Sequence, residues 1–205
     1  MCGFCGVITT GVVDVEKNAL EKMSAELIHR GPDMSGKWVN ESGTVNLMHR
    51  RLSIHDLSDS GYQPMESGSK GSVIAFNGEI YNFKSLREEL TNIYGRSIIS
   101  QSDTEVLLEC IEVFGIDETL NKVIGMFAFA YYDIKSNKLY LCRDRAGEKP
   151  LYYWMDNKQE AIYFSSELRS LLAGFPVDPE INETALDEYF SLSYISAPNT
   201  IVKGV

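Results

Sequence analysis

The sequence predicts an α+β fold with mainly antiparallel strands, and three observations carry that reading. Apolar residues recur at helical spacing in several separate segments, whereas from Gly125 onward short β-branched and aromatic runs follow one another across Asp, Asn and Gly turns. No Gly-x-Gly-x-x-Gly follows the first apolar run and no Gly-x-x-x-x-Gly-Lys-Ser/Thr occurs, so neither a doubly wound dinucleotide fold nor a P-loop site is indicated. With 205 residues, 44% of them hydrophobic, the chain can bury one substantial core. Apolar faces of both periods suggest stacked sheets covered by helices.

Each element has a local reason. Residues 4–9 read as a first strand. Asp14 can cap a helix over 15–29 whose inner face is Leu20, Met23, Leu27 and Ile28. His29-Arg30-Gly31-Pro32-Asp33 then breaks it, first as a turn and only secondarily as the wall of a site. Alternation over 37–39 and 44–54 predicts strands meeting a loop, and the Ser/Gly/Asp-rich stretch 56–72 a long connection. Residues 73–76 form a short strand ending at Asn77-Gly78-Glu79, where Asn-Gly predicts a tight hairpin with Ile80-Tyr81 as its return.

Asn82 can cap a helix with Phe83, Leu86 and Leu90 inside. Ser102 and Glu105 match a capping box before Leu107, Cys110, Ile111 and Phe114, with Gly115 as the stop. Asp103 falls in the first turn of that helix, where a carboxylate is favourable in itself. Strands at 126–133, 138–142, 151–155 and 161–164 predict an antiparallel meander. Arg143-Asp144-Arg145 reads as a buried ion network or a solvated turn. Helices over 167–172 and from Asn182 or Glu183 to Leu192 complete the pattern.

Composition excludes several classes. A formal charge of -10 with no basic stripe argues against a nucleic-acid partner. No apolar run of 18 residues and no signal segment is present, which argues against a membrane role and leaves a reducing cytoplasm as the default compartment. Of the four cysteines, Cys2 and Cys5 have metal or redox spacing, but no second pair follows, so no metal site is expected. Cys110 and Cys142 read as packing residues.

Cys2 carries more chemistry than its neighbours. Removal of Met1 gives one residue both a thiol and a free α-amine. Their ordinary pKa values are about 8.5 and about 8, so nucleophile and base coexist without a histidine. An amide nitrogen in mid-chain cannot act as that base.

Seven segments together resemble the glutaminase domain of the class II glutamine amidotransferases, most closely that of the glutamine-hydrolysing asparagine synthetases. They are Met1-Cys2-Gly3, the 29–33 segment, Arg51-Leu52-Ser53-Ile54, Asn77 to Asn82, Ser102-Asp103-Thr104-Glu105, Gly125 to Phe129, and Arg143-Asp144 with Gly147 and Lys149 to Tyr153. The resemblance implies an N-terminal-nucleophile fold, a four-layer αββα sandwich with two mainly antiparallel sheets. It implies that Cys2 attacks the side-chain amide of free L-glutamine, and that the Asn77 side chain and Gly78 N–H form the oxyanion hole. Arg51 would hold the α-carboxylate and Asp103, with Glu79 nearby, the α-ammonium. Backbone around Leu52 and Ile54 would line the same pocket.

The resemblance further implies a glutaminase domain over 1–192, with 193–205 opening the connection to a C-terminal synthetase domain. No Ser-Gly-Gly-x-Asp-Ser loop occurs in the chain, so ATP and magnesium belong to that other domain and no cofactor is expected in this one. Partners would be glutamine, the synthetase domain and, optionally, a second copy in a homodimer. Two alternatives stand beside this reading: an amidotransferase acting on another carboxylate, such as a sugar acid or peptide, and a non-catalytic regulatory domain that keeps the fold.

Overall fold

The computed structural model describes residues 1–11, 18–52, 59–156 and 160–205. Asp14 as a helix cap and Ile54 as a pocket residue lie outside them. The elements run β1 (Gly3–Thr9), α1 (Ala19–Ala25), β2 (Met34–Val39), β3 (Val45–Arg51), a 3-10 turn (Asp59–Gly61), β4 (Met65–Glu66), β5 (Ser72–Ile80), α2 (Phe83–Asn92), α3 (Asp103–Phe114), α4 (Ile116–Lys122), β6 (Gly125–Asp133), β7 (Lys138–Arg143), β8 (Tyr152–Asp156), β9 (Ala161–Ser165), α5 (Leu168–Ala173) and α6 (Glu183–Leu192).

Two antiparallel sheets result, one ordered β2-β3-β1-β9-β8 and the other β4-β5-β6-β7. The strands after Gly125 are therefore two hairpins in different sheets rather than one meander, because the chain crosses between sheets from β7 to β8. Strand alternation sorts side chains into three apolar layers. Phe4, Val45, Leu47, Val73, Ala75, Ala128, Ala130 and Phe164 fill the space between the sheets. On the outer face of the first sheet, Cys5, Val7, Met48 and Tyr163 meet Leu20, Met23 and Leu27 beneath α1 and α5. On the outer face of the second, Ile74, Phe76, Phe127 and Phe129 meet Leu86, Leu90, Leu107, Cys110 and Ile111 from α2 and α3. This is the helix–sheet–sheet–helix sandwich that the resemblance implies.

Several local expectations change in detail. The Asn77-Gly78 hairpin is absent: β5 runs unbroken through both residues and pairs with β6 from Ser72↔Asp133 to Ile80↔Gly125. Ladder pairing over nine residues outweighs the local turn preference of Asn-Gly. Asn82 precedes α2 but does not cap it; its amide donates to Lys122 O and accepts from Ile124 N. Ser102 does cap α3, accepting from Thr104 N, while Glu105 reaches back to Ile99 N and Ser100 N rather than to Ser102. Ile28, placed on an inner face by periodicity, is exposed because α1 ends at Ala25.

Candidate active site

The residues singled out in the sequence converge where the space between the sheets opens at one end. Cys2 adjoins β1 on the parity of Phe4, Arg51 ends β3 on the parity of Leu47, and Asn77 sits in β5 on the parity of Ala75, so all three face the inter-sheet layer. β1 and β3 pair Gly3 with Arg50, and one further step of that register sets Cys2 opposite Arg51. Cys2, Arg51, Leu52, Asn77, Gly78, Glu79 and Asp103 line one cavity of about 130 Å³, together with Met1, Gln63 and Lys149.

Cys2 is held by side chains and by one loop amide. Leu52 N donates to Cys2 Sγ at 3.4 Å, and Arg30 Nε donates to Cys2 O at 2.8 Å. Burial pushes the Cys2 thiol above its ordinary pKa; the Leu52 N–H, the terminal ammonium and Arg51 oppose that shift without cancelling it, and Asp103 adds to it. The thiol is thus protonated at neutral pH. Arg30 was read only as a turn residue or site wall, yet it is the hub of this end. Its Nη1 meets Glu167 at 2.8 Å, and with the Asn77 amide turned to satisfy both ends, Nη2 donates to Asn77 Oδ1 at 3.3 Å and Asn77 Nδ2 donates to Cys2 O at 2.9 Å. The second Nδ2 hydrogen of Asn77 remains for the pocket.

Gly78 supplies a backbone donor for a reason that lies in the ladder. Its partner Phe127 turns both N–H and C=O toward Asp144, bonding Asp144 Oδ2 at 3.2 Å and Asp144 N at 2.8 Å. Gly78↔Phe127 is therefore a non-hydrogen-bonded pair, and the Gly78 N–H points off the opposite edge of β5. Two residues to either side on that edge, Phe76 N donates to Gln63 Oε1 at 2.7 Å and Ile80 N to Asp103 Oδ2 at 2.9 Å. Between these occupied donors the Gly78 N–H faces the cavity. A Cβ at Gly78 would lie 2.4 Å from Met126 O, so only glycine lets the strands approach this closely.

The charged anchors sit on separate elements. Arg51 and Asp103 are 6% and 7% exposed, on β3 and at the first position of α3. Asp103 accepts from a strand edge near its helix start and also lines the cavity. Among the described residues Arg143 and Asp144 form no ion network, while Arg145 lies in an exposed turn beside buried Asp144. Arg143 donates to Lys149 O and Gly147 O, and Asp144 accepts from backbone N–H groups. Burial alone would raise the Asp144 carboxyl, but donors from Lys149, Glu148, Phe127 and Ala146 outweigh it and hold it below the ordinary range. Gln63 and Lys149 also line the pocket, and no local pattern marks either; Lys149 lies within the Lys149 to Tyr153 motif, but nothing there marks its side chain as buried.

Cys5 is fully buried on the helix-covered face of β1 with its thiol pKa far above the ordinary value, away from Cys2. Among the described residues no group of three or more His, Cys, Asp or Glu could hold a metal, and no helix is long and apolar enough to cross a membrane.

The glutamine amidotransferase domain family matches residues 1–205 of this chain. The chain belongs to that family. It is 40% identical over 205 residues to asparagine synthetase [glutamine-hydrolyzing] 1 of Bacillus subtilis, an alignment covering 98% of this chain and 31% of that protein. It is 39% identical over 191 residues to asparagine synthetase B [glutamine-hydrolyzing] of Escherichia coli, covering 92% and 32%. The chain thus spans about a third of the length of these relatives. The fold is shared with glutamine phosphoribosylpyrophosphate amidotransferase from B. subtilis, solved with ADP and GMP, at a TM-score of 0.71 and 21% identity over 84% of this chain and 43% of that one. This glutamine amidotransferase domain is the enzyme class that the sequence motifs implied.

Proposed function

We propose that this domain hydrolyses free L-glutamine to glutamate and ammonia through a thioester on Cys2, and that a C-terminal synthetase domain beyond residues 193–205 uses the ammonia to amidate aspartate with ATP and magnesium. The carrying observation is one small cavity lined by the Cys2 thiol, the Asn77 amide, the Gly78 backbone and two buried, opposite charges, Arg51 and Asp103. The planar Arg51 fork suits an α-carboxylate, while Asp103, with Glu79 beside it, suits an α-ammonium. Only a free amino acid presents both. The Cys2 α-amine takes the thiol proton as sulfur adds to the amide carbon, and returns it to the departing nitrogen. Asn77 Nδ2 and Gly78 N–H meet the oxygen charge that exists only in the tetrahedral state, each donor contributing about 3 kcal/mol there. Water then hydrolyses the thioester. Leu52 and Ile54 are assigned to the wall around the substrate. Four free thiols support a reducing cytoplasmic setting.

Exposure to the glutamine analogue 6-diazo-5-oxo-norleucine, followed by intact mass and peptide mapping, tests the reading. The expected result is a terminus lacking Met1 and one adduct on Cys2. A processed terminus that takes no adduct overturns it.

A further inference from the structure

Lysine side chains ordinarily carry their ammonium to water. Lys149 is 6% exposed and points into the catalytic cavity. The loop that carries it is tightly held: Asp144 Oδ2 accepts from Lys149 N at 2.9 Å, Arg143 Nε donates to Lys149 O at 2.7 Å, and Arg143 Nη2 donates to Gly147 O at 2.5 Å. Gly147, at φ +66°, allows the turn. Among the described residues the Lys149 ammonium forms no ion pair, and its side chain bonds only Met1 Sδ, at 3.3 Å. A thioether is a weak acceptor for a buried cation with three donors. Removal of Met1 takes that contact away and leaves a free α-amine on the next residue of the same cavity.

Two amines lining one small cavity disfavour double protonation, and the α-amine, ordinarily near 8 against about 10.4 for lysine, is the one that yields. We propose that the Lys149 ammonium keeps the α-amine of processed Cys2 uncharged at neutral pH, so that this amine can act as the base. The inference rests on the glutaminase reading above. The neutral amine takes the thiol proton while the S–C bond forms and the carbonyl π pair moves to oxygen. The resulting ammonium gives that proton to the amide nitrogen while the oxygen pair re-forms the carbonyl and the C–N bond breaks, releasing ammonia. Lys149 acts through Cys2 and touches no breaking bond. Among the described residues the other charges around Cys2 are Arg51 on β3, Glu79 on β5, Asp103 on α3, and Arg30, which bonds Cys2 O and pairs with Glu167. Bound glutamine engages Arg51 with its carboxylate and Asp103 and Glu79 with its ammonium, so the zwitterion adds no net charge beside Lys149.

The test compares processed full-length protein with its Lys149→Met and Lys149→Arg variants. One readout is kcat/KM for glutamine against pH. The other, independent of activity, is the Cys2 α-amine pKa from pH-dependent acylation of the terminus followed by mass spectrometry. In the parent protein the α-amine titrates at least a pH unit below 8. In Lys149→Met both the α-amine and the acidic limb of the rate profile move up by about one to two pH units, and Lys149→Arg retains the parent profile. A parent α-amine at 8 or above overturns the proposal even if no variant folds. So does an unmoved acidic limb in Lys149→Met, or an equal displacement in both variants. Labelling of Cys2 by 6-diazo-5-oxo-norleucine separates the two levels: an adduct with an unshifted amine removes only the role of Lys149, and no adduct removes the glutaminase reading beneath it.

Discussion

The pocket is built by two regions that solve the same problem in opposite ways. In the middle of β5, Asn77 and Gly78 are placed by backbone: nine ladder pairs with β6 set the register, and the alternation of bonded and non-bonded pairs aims the Gly78 N–H. At the start of β1, Cys2 is placed by side chains from far along the chain. Arg30 grips its carbonyl, Glu167 grips Arg30, and Ser166 Oγ accepts from Phe4 N at 3.0 Å. A strand interior has a ladder to rely on, whereas a terminus must have partners brought to it. Stability and catalysis should therefore be coupled at β5 and separable at β1.

Gly78→Ala is the strongest challenge to that contrast. Its new Cβ collides with the backbone of β6, so stability should fall by about 3 kcal/mol and glutaminase turnover should vanish with it. A variant that keeps the parent melting temperature would show that the ladder does not confine this position. Arg30→Met should behave differently, losing about a hundredfold in turnover from a misplaced Cys2 and Asn77 while keeping most of its stability. Denaturant unfolding beside steady-state kinetics decides this; a collapse of stability comparable to that of Gly78→Ala would erase the distinction between the two regions.

The effect confined to acidic pH concerns His49, which joins the regions. Its Nε2 meets Phe76 O at 3.0 Å across the sheets, and burial lowers its pKa to about 4, with the Phe76 carbonyl opposing and Arg51 assisting. The unfolded chain binds this proton near 6.5, so between 6.5 and about 4 it holds more protons than the folded one, and stability drops as pH falls through that window. The full shift corresponds to on the order of 3 kcal/mol. Stability measured against pH should show a shallower decline for His49→Gln than for the parent across that window, and parallel curves would mean that His49 stays protonated or solvated.

Local signals carried some elements well. Ser102 caps α3 where the Ser-x-x-Glu spacing places the helix start, and Leu107, Cys110 and Ile111 are buried on its inner face as their spacing implies. Asn182 likewise caps α6, which runs Glu183–Leu192 as expected; it buries Ala185 and leaves Tyr189, Phe190 and Leu192 exposed, because a helix start and stop say nothing of what covers the helix. α4 went unread, since Ile116–Lys122 is too short for a clear period.

By itself, the sequence determined the α+β class, the two parities of each strand, the unusual chemistry available to Cys2, and the opposite charges of Arg51 and Asp103. These depend on residue type and on spacing within one element. Tertiary structure alone decided that Asn77-Gly78 runs straight as an edge rather than turning, that Arg30 closes on Cys2 and Asn77, and that Lys149 is buried beside Met1. Those outcomes join residues 28 to 148 positions apart, and their energies come from pairing and desolvation across elements, which no local pattern records.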